Sequence, residues 1–249
     1  MDLIRNDLLK FRRSHVWVVV VLVPLIAVAI GAGNYSANSS TLTAGWSSYF
    51  SQIMLFYGLI FMAAGVAICA AAAWRVEHRG HNWHSLLTST RSAGSIAASK
   101  IAAISIIVIA MHAVLLILTF VGGLLLNIPD TPSEELAVAA LLAIAPAIAV
   151  ASWQSLLSMV IRNFAAPIAI ALAASIVSFG ALASGAHAAK FVLPPALLSD
   201  TLWLGSSAVA AAGTLDASTV GSVAGASAVL AALGWMAATV YLQNTDARL

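Results

Sequence analysis

Charge is what this chain has least of: 8% of its 249 residues are Asp, Glu, Lys or Arg, with eleven basic against nine acidic side chains. A soluble domain carries about 25% charged residues, so a water-exposed fold of this length would lack the polar groups to cover itself. The net charge of +2 gives no basic surface of the kind nucleic acid requires, and no nucleic-acid partner is expected. A single cysteine, Cys69, excludes an internal disulfide and is read as a small apolar packing residue. The three lysines, Lys10, Lys100 and Lys190, stand in no G-x-x-x-x-G-K-[ST] setting, so this chain holds no phosphate loop. No catalytic set, cofactor site or metal site is expected in it.

What remains is apolar, at 61%, and arranged in runs longer than the roughly 18–20 residues that cross a bilayer. Membrane β-barrels are built instead from alternating segments of about ten residues. The sequence therefore predicts an all-α membrane protein, a single domain over residues 1–249, with six transmembrane helices near residues 16–33, 50–73, 101–126, 131–160, 164–183 and 221–243. The basic lead-in and Ala27-Val28-Ala29 also resemble a signal peptide with an A-x-A site; we read the segment as a retained first span. Thr131-Pro132-Ser133-Glu134 is read as a capping box opening the fourth helix.

Residues 1–13 place Leu3, Ile4, Leu8 and Phe11 on one helical arc and most of the basic residues opposite, with Asp7 interrupting the apolar side. This fits an interfacial helix on anionic lipid and equally a charged flank of the first span. Residues 184–220 are punctuated by Gly185, Pro194-Pro195, Asp200, Gly205 and Gly213, which predicts short re-entrant outer helices instead of another span. With both termini inside, Arg5, Lys10, Arg12, Arg13, Arg75, Arg79, Arg91, Lys100, Arg162 and Arg248 are cytoplasmic and Lys190 alone is external. That is the positive-inside pattern, and it predicts a multi-pass protein of the cell membrane, a bacterial plasma membrane by preference.

The organising stretch is 74–100, a polar loop between the second and third spans that holds four of the basic residues and three of the six histidines. His78, His81 and His84 recur every third residue, but no Cys, Asp or second His cluster lies nearby to complete a zinc set, and a metal or proton-sensing role is set aside. His112 is the one ionisable group deep in a span, and a hydrogen-bonded packing role is preferred to a proton relay. A Ser–His intramembrane protease is weighed because Ser105, Ser158, Ser175 and Ser178 are available; no nucleophile motif supports it. Ala63, Ala67, Gly221 and Gly225 have the small-x-x-x-small spacing of close helix approach and are candidates for packing against another helix or a second chain.

Glu77 at the close of the second span, then Trp83, the Leu86-Leu87 pair, Arg91, and Lys100 opening the third span together resemble ABC-2 type permeases, and within them the permeases of lantibiotic-immunity and antimicrobial-peptide transporters. Where that family usually has Pro after the Leu pair, this chain has Thr88-Ser89-Thr90. The resemblance implies a coupling helix at about 78–90, with Trp83, Leu86 and Leu87 as anchors in a separate ATPase and Glu77, Arg79 and Arg91 beside them. Arg75 and Lys100 are read equally as membrane-end anchors. It further implies two ATPase copies supplying ATP and Mg chemistry, a second permease, identical or homologous, and export of an amphipathic peptide, lipid or hydrophobic drug. A membrane sensor or scaffold that holds a signalling protein on the same loop is the alternative.

Overall fold

The structure, a computed structural model, describes residues 2–12, 14–79, 83, 91–132, 134–209 and 212–245. Among these there is helix and no strand. A short helix α1 (Asp2–Arg12) precedes α2 (Val16–Ala37), the first span. The second span is composite: α3 (Trp46–Phe56), a π-helical turn at Tyr57–Phe61, and α4 (Met62–Arg75) run on without interruption. The third is α5 (Ala93–Leu125), the fourth joins α6 (Glu134–Leu142) to α7 (Ile144–Val160), and the fifth is α8 (Ala165–Ala183). A 3₁₀ turn (His187–Phe191) and α9 (Pro194–Leu202) lead to the sixth, α10 (Ala217–Asn244). The six helices expected from hydropathy are all present and long and apolar enough to cross a membrane.

The spans divide into an inner and an outer set. In their most apolar stretches the second, third and fourth are 61, 50 and 56% buried, and the first, fifth and sixth 33, 28 and 28%. Thus α4, α5 and α7 form the centre, α2 packs on α3 and α5, α8 on α4, and α10 on α7 and α5. With no hydrophobic drive between helices in lipid, close van der Waals approach and interhelical hydrogen bonds hold such a bundle. Gly31 shows the closeness: a Cβ there would lie 2.5 Å from the Ile53 Cα. Between α7 and α10, Ser152 Oγ donates to the Ala231 carbonyl (2.9 Å) and Trp153 Nε1 to that of Leu230 (2.9 Å).

Two irregularities have local causes. A π turn widens the helix and takes a carbonyl out of its usual bond; here Gly58, which abuts Leu202 and Trp203, offers its carbonyl to Ser199 Oγ of α9 at 2.8 Å. So α9 is latched into the second span, and Pro194 through Ser199 are buried. In the fourth span Pro146 has no N–H to give, and the helix breaks at Ala143. Beside that break His112 Nε2 donates to the Ala140 carbonyl at 2.8 Å.

Several boundaries differ from those expected, among them the end of the first span at Ala37 and the start of the sixth at Ala217. The third span starts eight residues before the predicted 101, at Ala93, because Ser92 caps it by accepting from the Ser95 N–H. Lys100 therefore lies inside the helix. The second span begins at Trp46 and not near residue 50. Of the proposed capping box, Ser133 lies outside the described residues, and the fourth helix begins at Glu134.

Candidate functional site

The feature that stands apart in this apolar bundle is a cluster of four charges at the end where α1, the close of α4 and the start of α5 meet. Lys100 is 2% exposed, Glu77 2% and Asp7 7%. The Lys100 ammonium lies 2.6 Å from Glu77 Oε1 and 2.8 Å from Asp7 Oδ1, and 5.5 Å above the Trp74 ring. Lys10, half-exposed, donates to the same Glu77 oxygen and stands 3.6 Å from Asp7. Ser99 Oγ completes the set, donating to Asp7 Oδ2 at 2.9 Å.

This arrangement follows from two residues each misplaced by the local pattern. Asp7 sits on the apolar arc of α1, so it enters the protein when Leu8 and Phe11 do. Lys100 falls two turns into an apolar helix. Neither can be buried alone, since an unpaired charge in low dielectric costs several kcal/mol or more; together they neutralise one another. Burial opposes the ionisation of Glu77, yet the charge of Lys100 and the hydrogen bonds from both lysines outweigh it and hold the carboxyl below its ordinary value. For Lys10 the same holds in reverse: burial works against the charge, and the hydrogen bond to Glu77 with the two nearby carboxylates raises its pKa.

Around the charges lies an aromatic layer. Trp74, fully buried, donates from Nε1 to Ser155 Oγ at 2.9 Å. Its neighbour His78 donates from Nε2 to the Ser158 carbonyl (3.0 Å) and stacks on Trp83, ring centroids 5.5 Å apart. Trp83 in turn lies 6.1 Å from Trp74 and packs on a group with Ile96, Met159 and Leu242. Elements α4, α5, α7 and α10 are thereby gathered under the elbow between the second and third spans.

Of the residues expected to meet an ATPase, Glu77 is turned inward and spent on Lys10 and Lys100, so its carboxylate is not available to a second protein. Trp83 is half-buried against this chain. Arg79 and Arg91 are exposed on separate grooves, Arg79 with His15 and Phe164, Arg91 with Leu3 and Ile4. Leu86, Leu87, His81 and His84 lie outside the described residues, and among those described no group of His, Cys, Asp and Glu could hold a metal ion. Lys100 is buried and ion-paired instead of reaching headgroups, which corrects the anchor reading; Arg75 is exposed over the Phe164 ring.

The candidate packing residues separate in the same way. Ala63 and Ala67 are 1 and 0% exposed within the chain, so their small size serves this bundle and they present nothing to a second permease. At Gly221 and Gly225 an added Cβ would meet no atom within 4 Å, so both stand on an open face of α10. His112, with Nε2 engaged on Ala140, has no hydrogen bond to any serine among the described residues.

A family model described as ABC-2 family transporter protein matches residues 3–178. The chain belongs to that family. No curated protein matches it. This ABC-2 protein is accordingly a membrane permease of an ABC transporter, a transport component and not a catalyst. The matched region takes in α1, the elbow and the first five spans up to residue 178, and so contains every member of the charge cluster.

Asp7 is the member of the cluster least visible in the sequence. Its signal is present, a carboxylate on an apolar helix face, and so is that of its partner, a lysine within an apolar helix. Two opposite charges at positions where neither belongs are best read as a pair.

Proposed function

We propose that this permease receives mechanical work at the elbow of residues 76–92 from a separate ABC ATPase, present in two copies, and passes it through the charge cluster to the spans. The observation that carries the reading is the burial of Asp7, Glu77 and Lys100 in one network. It makes α1, the end of α4 and the first turns of α5 a single body, so a push on the elbow moves two spans and the surface helix together. In this account Leu86, Leu87 and Trp83 are the apolar anchors and Arg79 and Arg91 the exposed rim, the distribution in which aromatic and Arg residues dominate interface energy. Glu77 acts from inside, by positioning the elbow.

The cargo in this account is an amphipathic peptide, a lipid or a hydrophobic drug, moved outward, as in lantibiotic-immunity and antimicrobial-peptide transporters. The outer spans α2, α8 and α10 line the chain with apolar surface, and a second permease, identical or homologous, meets α10, with Gly221 and Gly225 as the points of close approach. ATP and Mg belong to the ATPase. Both termini and the elbow face the cytoplasm of a bacterial cell, the side that the basic residues select.

The test is co-purification of the ATPase with wild type and with Leu86→Asp/Leu87→Asp. Loss of the ATPase with the permease still folded is expected; undiminished recovery removes the elbow from the interface. A scaffold that holds a signalling protein would show no ATP-driven flux in vesicles containing both subunits.

A further inference from the structure

The same end of the molecule carries a second feature, which shares Arg79 with the exposed rim of the elbow. A groove of about 360 Å³ opens between the start of α2, the end of α4 and the loop before α8. Its walls are apolar, from Val16, Val19, Ile68 and Ala72, and its mouth is basic, from His15, Arg75 and Arg79. Neither arginine makes an ion pair among the described residues, because the buried carboxylates at this end, Asp7 and Glu77, are held by Lys10 and Lys100. Arg75 instead lies 5.2 Å over the Phe164 ring. The first turn of α2 also borders the mouth, with its Val16 N–H donating to Ser14 Oγ at 3.3 Å.

We infer that this groove binds an anionic phospholipid, its phosphate between Arg75 and Arg79 and an acyl chain along Val16, Val19, Ile68 and Ala72. Two guanidinium groups without an ion-pair partner among the described residues are phosphate ligands, and basic pockets between spans at the inner leaflet are suited to lipid headgroups. The apolar wall argues against a free anion, which would gain nothing from it. It argues for hydrocarbon, because α2 continues from the groove as an exposed apolar face with Trp17, Val18, Val21 and Leu22. The lipid would join α2 to the elbow at the stretch of chain adjoining Glu77. The assignment needs only the membrane setting and stands whether or not an ATPase docks on the elbow.

The experiment is native mass spectrometry of the purified full chain in detergent, titrated with phosphatidylglycerol and phosphatidylcholine of identical acyl chains. A preference for phosphatidylglycerol on the order of tenfold is expected from two cations beside the headgroup. Arg75→Gln/Arg79→Gln should bring the two lipids level, whereas Arg5→Gln/Arg12→Gln, which removes the same charge from α1 outside the groove, should leave the preference intact. Ala72→Phe fills the groove with both arginines retained, and bound lipid should fall; this arm also decides the matter if the arginine variant does not fold. Equal retention of the two lipids by wild type, a preference that survives Arg75→Gln/Arg79→Gln, undiminished lipid in Ala72→Phe, or displacement by equimolar inorganic phosphate would each overturn the proposal.

Discussion

Replacing Lys100 by Met tests the charge cluster most severely, because the four groups balance as two carboxylates and two ammonium ions. Without Lys100, Asp7 and Glu77 remain buried with only Lys10, whose side chain is 37% exposed, leaving one net negative charge in a low-dielectric site. Removal of one partner from a buried ion pair costs about 3–5 kcal/mol. Lys10→Met also leaves one net negative charge, but it keeps Lys100 at 2.6 and 2.8 Å from the two carboxylates and removes a partly solvated ammonium, so it should cost less than Lys100→Met. Glu77→Gln should fall between, as Lys100 keeps Asp7 and the surplus positive charge can swing outward on Lys10. The signs with pH differ as well. In wild type the Glu77 pKa is lowered, so its contribution is complete above the ordinary carboxylate value of 4.5 and is lost as pH falls through the folded value. In Lys100→Met the favourable charge is gone while burial remains, so the carboxyl pKa rises and acid should relieve the defect. Thermal unfolding in detergent, followed by tryptophan fluorescence from about pH 2 to 8, reads both effects. A Lys100→Met midpoint no lower than that of Lys10→Met, or a defect that deepens in acid as wild type does, would refute the reasoning.

Further outcomes follow from the packing. Gly31→Ala should lower the unfolding midpoint by the equivalent of about 1–3 kcal/mol, the usual range for overpacking, because its Cβ meets the Ile53 backbone. Gly33→Ala, two residues on and with nothing within 4 Å, should be neutral or slightly stabilising. Ser199→Ala removes the donor to the Gly58 carbonyl at the π turn and should cost about 1–3 kcal/mol as a buried acceptor is left unpaired. Asp216, which caps α10 by accepting from the Thr219 N–H at 2.7 Å, has a pKa held down chiefly by that bond. Asp216→Ala should lower the midpoint at neutral pH, and the gap from wild type should close in acid as the wild-type carboxyl protonates.

Much of this architecture is legible in the sequence because lipid imposes it: length and apolarity suffice to find spans, and all six lie where hydropathy places them. Their inner or outer position is not legible. Ala63 and Ala67 have the spacing of an intersubunit face and are buried inside the chain, since in an Ala-rich helix the motif repeats on several sides and does not name its partner. The π turn is hidden too: nothing in Tyr57–Phe61 announces a widened helix, and only the arrival of Ser199 from a distant segment explains it. At the elbow, Glu77 and Lys100 are prominent as charges at span ends, but their pairing with Asp7 requires the folded position of α1. The early start of α5 is masked for a related reason, as its first turns are rich in Ser and Ala and look like loop until Ser92 is seen to cap them.

The central claim is that α1 and the elbow move as one body when the ATPase cycles. Pulsed electron spin resonance distances answer it directly, with labels at Leu9 on α1 and Arg91 at the elbow, both exposed, and a reference label at Leu125 at the far end of α5. With the permease and ATPase together in lipid, trapping ATP should leave the Leu9–Arg91 distance unchanged, while the Leu125 label, carried on the same helix, shifts relative to its counterpart in the second permease. A Leu9–Arg91 distance that changes between the nucleotide-free and ATP-trapped states would contradict the account.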